Sequence, residues 1–198
     1  MFLALLSAIG LSFSAGLNAY LPLLILALAD RISDSFNLPG PYDFVSSNTG
    51  LVIILLVMAI ELIGDKIPRV DRMNDLLHTP IRPLVGGFVA MAVAAESDAL
   101  NVWLAGIIGL LVAGGVHYWK MTQRPLVTEA TTGIGNPVIS LIEDVVVIVV
   151  SIVAVTFPIA CVVLVPAGAW WVMRAYRRMQ TGQSSLMALL VPARKDAA

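Results

Sequence analysis

The chain has 198 residues, 59% of them hydrophobic and 13% charged, with a formal net charge of −1 and a mean hydropathy of +0.90. A soluble domain carries about a quarter charged residues, so one aqueous core could not hide this much apolar side chain. That balance excludes a disordered chain, a disulfide-built secreted domain and a nucleic-acid binder, and makes lipid the expected solvent. The length suits one transmembrane domain over residues 1–182 with a short cytoplasmic tail over 183–198.

Residues 2–29 are uncharged and form the first expected span. The stretch reaches small residues near Ala15, as a cleavable leader would. It lacks a basic start and stays apolar to Ala29, so it reads as a retained helix. Residues 44–64 form the second span, interrupted by Glu61, and 81–97 a short third span flanked by Arg82 and Glu96. Residues 100–119 form the fourth, with Ser97 or Asp98 as its expected N-cap. Residues 133–173 are too long for one crossing at 1.5 Å per residue and divide into two near Phe157-Pro158. The fold class is therefore an all-α membrane bundle of about six helices.

Loop charge supports that count. Of the twelve basic residues only Arg31 falls in an odd-numbered loop. Six spans place the remainder on one side, with both termini cytoplasmic and residues 30–48 outside. The Pro39-Gly40-Pro41 run is the turn signal of that outer loop.

Ionisable residues inside spans are expensive and face the bundle interior, where they mark sites. Glu61 and Asp65 share a face of span two. In span five Asn136, Ser140, Glu143, Asp144 and Ser151 recur at helical spacing. The serines read as interhelical hydrogen bonds. The carboxylates read as a site, because no basic residue of the expected topology falls at their depth. They would have to be protonated, hydrated or bound to a cation.

Two segments predict broken or kinked helices in spans one and five. In Ser14-Ala15-Gly16-Leu17-Asn18-Ala19-Tyr20-Leu21-Pro22, Pro22 leaves the carbonyl of Asn18 without its helical partner. In Thr132-Gly133-Ile134-Gly135-Asn136-Pro137, Pro137 does the same to Gly133 and biases Asn136 away from α geometry. Irregular backbone at membrane depth is how transporters expose backbone groups to a substrate. The binding set is thus Asn18, Glu61, Asp65, Asn136, Glu143 and Asp144.

Span four carries a small-residue face, Ala105, Gly109 and Ala113, that predicts close helix packing. Cys161 reads as a buried small hydrophobe. His78 and His117 lack partners at metal spacing, so no zinc site is expected. The stretch from Glu61 to Arg82 interleaves acids and bases. Residues 72–78 fit a short surface helix ended by Thr79-Pro80, with Asp71, Arg72 and Asp75 as gating ion pairs.

The motif Glu61-Leu62-Ile63-Gly64-Asp65-Lys66-Ile67-Pro68-x-x-Asp71, the later Arg82-Pro83-x-x-Gly86-Gly87, and the Ser14–Pro22 segment together resemble an uncharacterised bacterial multipass family. That family is classified only as a domain of unknown function. The resemblance runs over residues 3–176 and implies a location in the bacterial inner membrane. Glu61 to Lys66 also resembles the Glu-x-Gly-Asp-Lys-Thr motif of calcium/manganese cation exchangers, with one extra residue before Gly64 and Ile67 in place of Thr.

The function expected is a small secondary transporter or ion-coupled permease acting on a small molecule or ion within the bilayer. Its oxygen ligands suit H⁺, Na⁺ or a hard divalent cation, with no organic cofactor. Two alternatives stand beside it. One is a membrane-embedded lipid-phosphate-modifying enzyme using Asp65, Asp71 and Asp75. The other is a non-catalytic scaffold or subunit packing through span four; a homo-oligomer is open as a further partner state.

Overall fold

The computed structural model describes residues 1–34, 36–64, 71–98 and 100–181, and for 64 and 71–75 the backbone alone. The described residues form seven α-helices and two short 3-10 turns: α1 (Phe2–Leu17), α2 (Tyr20–Ile32), α3 (Asn48–Gly64), α4 (Asp71–Ser97), α5 (Val102–Thr131), α6 (Gly135–Thr156) and α7 (Cys161–Gln180). Four of them are long and apolar enough to cross a membrane by length and composition: Leu76–Ser97, Val102–Thr131, Gly135–Thr156 and, with its leading 3-10 turn, Pro158–Gln180. Phe2–Leu17 and Asn48–Ile63 are shorter apolar helices. The outer faces carry Val52, Leu56, Ile60, Leu111 and Val163, all exposed. Apolar side chains on the outside, with ionisable groups such as Glu61, Arg82, Lys120 and Glu143 buried within an apolar core, define an all-α membrane bundle.

The expected first span is two helices. Asn18 is extended, at φ −143° and ψ 123°, because Pro22 offers no N–H to its carbonyl. The Asn18 side chain then takes over as a cap, its Oδ1 accepting from Tyr20 N at 3.1 Å and Leu21 N at 3.2 Å. This gives two of α2's open donors a partner.

Helix directions follow from side-chain neighbours. A Cβ built on Gly10 would meet Ala154 and Cys161, and one on Gly16 would meet Val116 and the Ala113 carbonyl. Asn18 reaches Asp144. Thus α1 runs parallel to α5 and antiparallel to α6, from the Val102 end of the bundle toward the Thr131 end. Then α2 turns back. Ala19 lies against Glu61 of α3, Arg31 bonds Asn48 at the start of α3, and Tyr42 stacks on Phe88, beyond Arg82 toward the Ser97 end of α4. Leu23, Leu26 and Ala27 share a core cluster with Ala8, Leu11, Ala94 and Ala105. The pair α1–α2 is a hairpin whose tip, Asn18-Ala19, lies inside the bundle. The start of α1 therefore lies at the end of the bundle opposite Gln180.

Three further expectations are corrected. Residues 72–78 are not a separate surface helix but part of α4, which runs through Thr79, Pro80 and Pro83 without ending. The N-cap of α5 is Asn101, whose Oδ1 accepts from Leu104 N at 3.0 Å, while Asp98 has φ 48° just past the end of α4. Span five is unbroken: α6 starts at Gly135, so Pro137 sits in its first turn, where an absent N–H costs nothing. The irregular backbone lies just before it, at Thr132 (φ 52°) and Gly133 (φ 87°), where the Gly133 N–H donates to Thr128 O. Close packing of α4 on α5 rests on Gly86 and Gly109, whose added Cβ atoms would collide with Ala113 and with the Gly86 carbonyl.

Candidate functional site at the hairpin tip

The interior charges come from longer helices than hydropathy suggests. α5 has 30 residues, about 45 Å at 1.5 Å per residue against a hydrocarbon core of roughly 30 Å. Lys120 and Arg124, expected in a loop, are therefore helical and buried, and so is Arg82 of α4. They pair with the carboxylates that the sequence left without a partner.

Two ion-pair clusters result. Glu61 Oε1 accepts from Arg82 Nη2 at 3.0 Å and Nε at 3.3 Å, and from Ala19 N at 3.4 Å. His78 Nε2 is 3.7 Å away. Arg82 Nη1 is also 3.0 Å from His117 Nδ1. A guanidinium can only donate, so Nδ1 accepts, and this network assigns the proton of a neutral His117 to Nε2, facing Thr79 Oγ1 at 3.2 Å. In the second cluster Glu143 Oε2 pairs with Lys120 Nζ at 2.9 Å and Arg124 Nη2 at 3.2 Å, and Oε1 accepts from Tyr176 OH at 2.7 Å.

The hairpin tip lies between these clusters, and each broken helix end meets the charge that suits its dipole. At the C-terminal end of α1, the Leu17 carbonyl accepts from Lys120 Nζ at 2.8 Å. At the N-terminal end of α2, the Ala19 amide faces Glu61. Asn18 joins the two ends and donates through Nδ2 to Asp144 Oδ1 at 3.2 Å.

The structure thus brings together Asn18, Glu61, Glu143 and Asp144. It does not bring Asn136 to them. That amide donates to Thr128 Oγ1 at 2.9 Å in the α5–α6 turn, about 12 Å along α6 from Asp144. Asp65 lies outside the described residues, as do the side chains of Asp71, Arg72 and Asp75 and the tail from residue 182. The sequence reading missed Arg82, Lys120, Arg124, His78, His117 and Tyr176. Among the described residues no group of three or more His, Cys, Asp or Glu comes together to hold a metal ion.

Two apolar grooves flank α7. One of about 350 Å³ lies against α6, and one of about 200 Å³ opens beside Leu17, Trp119 and Val172.

An all-α membrane bundle with a broken helical hairpin and ion pairs buried around its tip is the class of protein defined here. The chain belongs to the DUF4126 family, a domain of unknown function whose model matches residues 5–178. No curated protein and no solved structure matches it.

Proposed function

We propose that this protein is a small secondary transporter that moves a small organic anion together with protons across the membrane at the Asn18-Ala19 tip. One observation carries the reading. The single oxygen Glu61 Oε1 lies on both the N-terminal amide of α2 and the Arg82 guanidinium. A helix N-terminus beside an arginine fork is a ready site for a carboxylate or phosphate. In the closed arrangement Glu61 fills it.

Protonation of Glu61 removes the charge that holds Arg82 and the Ala19 amide, and a substrate anion takes its position. Loss of that proton restores the internal pair and expels the anion. Among the described residues, Glu61 faces the Ala19 amide that leads into α2, His78 and Arg82 of α4, and, through Arg82, His117 of α5, while the Tyr20 ring packs edge-on against His78. Glu143 with Lys120, Arg124 and Tyr176 anchors the end of α1 while the other cluster exchanges partners.

A proton suits this site better than Na⁺ or a divalent cation, because the described cations already stand about 3 Å from Glu61 and Glu143. The basic end faces the cytoplasm of a bacterial inner membrane: Arg177 and Arg178 lie in the last turn of α7, while Arg31 ends α2 at the other end. The start of α1 then faces outward.

The test is uptake by proteoliposomes under an inward acid gradient, with a panel of small carboxylates and phosphate esters. Wild-type protein should accumulate at least one of them, and Arg82→Gln none. Accumulation that survives Arg82→Gln, or movement of cations alone, contradicts the reading.

A further inference from the structure

The α6–α7 groove carries an inference independent of transport. It is about 350 Å³, within the range of ligand sites, and its lining, including Val145, Val149, Leu164, Ala167 and Trp171, is apolar throughout. Gly168 gives it depth, since a Cβ there would lie 2.9 Å from Val146 Cγ1. Toward the C-terminal end of α7 the character changes. Arg174 stacks on Trp170, its guanidinium 5.1 Å from the ring centroid. Exposed Arg177 follows Trp170 by seven residues, two turns along the same face.

We infer that this groove binds one anionic phospholipid, an acyl chain lying between α6 and α7 and its phosphate held by Arg174 and Arg177. The chemistry of the two halves selects that occupant. An alkyl chain matches a trough without polar atoms, and a phosphodiester matches two arginines at its mouth. A zwitterionic lipid fills the trough equally well but carries a cation to the arginines. A partner helix would cover the apolar half and leave both guanidinium groups without an anion.

The experiment is native mass spectrometry of the full chain, purified in mild detergent and supplied with dioleoylphosphatidylglycerol, dioleoylphosphatidylcholine or glycerol 3-phosphate. Phosphatidylglycerol should be retained over phosphatidylcholine on the order of tenfold, and glycerol 3-phosphate should not be retained. Arg174→Gln with Arg177→Gln, at half-buried and exposed positions that leave the core intact, should erase the preference. Ala167→Trp, at an exposed position in the trough, should lower retention of both lipids. Equal retention of the two lipids, a preference that survives the double arginine variant, or retention of glycerol 3-phosphate alone overturns the assignment. So does a dimer that Ala167→Trp abolishes, since the groove then belongs to a second copy of the chain.

Discussion

The ammonium of Lys120 lies 2.8 Å from the main-chain carbonyl of Leu17, where α1 ends inside the bundle. A helix end away from water needs a partner for its open carbonyls and favours a positive charge. Lys120 supplies both and is itself neutralised by Glu143 at 2.9 Å. Lys120→Met keeps the stem and removes the charge. It should destabilise the fold by about 3–5 kcal/mol, as expected when one partner of a buried pair is lost. Glu143→Gln should then cost less than it does in the wild-type chain, because the Lys120 charge that it would otherwise leave facing an amide is already gone. Thermal unfolding in detergent reads both, and strict additivity of the two changes would show that the pair is not coupled.

At the tip, Asn18 has two tasks that substitution can separate. Asn18→Asp keeps an oxygen to cap α2 but sets a second carboxylate against Asp144. The variant should lose stability or expression, and Asp144→Asn in the same chain should restore it, because the pair then has one donor and one acceptor again. Fluorescence-detected size exclusion measures this directly. No rescue by Asp144→Asn would remove the Asn18–Asp144 contact from the account.

The break at Asn18 and the acidic residues around it were legible in the sequence, because Pro22 and Glu61 leave local signals that need no tertiary context. The ion pairs were not read. Arg82, Lys120 and Arg124 lie beyond the apolar windows, and hydropathy assigns such residues to loops. A signal was nevertheless present on α5. Ala105, Gly109, Ala113, His117, Lys120 and Arg124 recur every three or four residues, and all are buried. The small-residue stripe that marks the packed face runs straight into the basic residues, so they share its burial. On α4, His78 and Arg82 are likewise one turn apart and both buried. The return of α2 left only a trace in length: residues 2–29 would be about 42 Å as one helix, longer than the roughly 30 Å that a crossing needs.

That hairpin can be tested by accessibility. In a Cys161→Ala background, single cysteines at Leu3 and Asp43 should react with an impermeant maleimide from the same side of the membrane, and one at Thr181 from the other. Leu3, Asp43 and Thr181 are all exposed, while Cys161 is buried. Reaction of Leu3 and Thr181 from one side would restore a crossing first span.

Glycine positions inside and outside the α4–α5 seam should differ sharply in tolerance. Gly86→Ala puts a methyl into Ala113 and should cost about 1–3 kcal/mol. Gly115→Ala, where nothing lies within 4 Å of the added carbon, should be neutral or slightly stabilising. Melting temperatures of the two variants in one detergent decide it, and equal losses would refute the seam geometry.

The most direct test of the central claim counts protons in proteoliposomes, using an internal pH dye and an anion that wild-type protein accumulates. Glu61→Gln keeps the size and hydrogen-bonding capacity of the side chain but cannot carry the proton or compete as an anion for Arg82 and the Ala19 amide. Wild-type protein should acidify the lumen as the anion enters, whereas Glu61→Gln should exchange labelled anion across the membrane with no accumulation and no pH change. Proton-coupled accumulation that persists in Glu61→Gln would contradict the account.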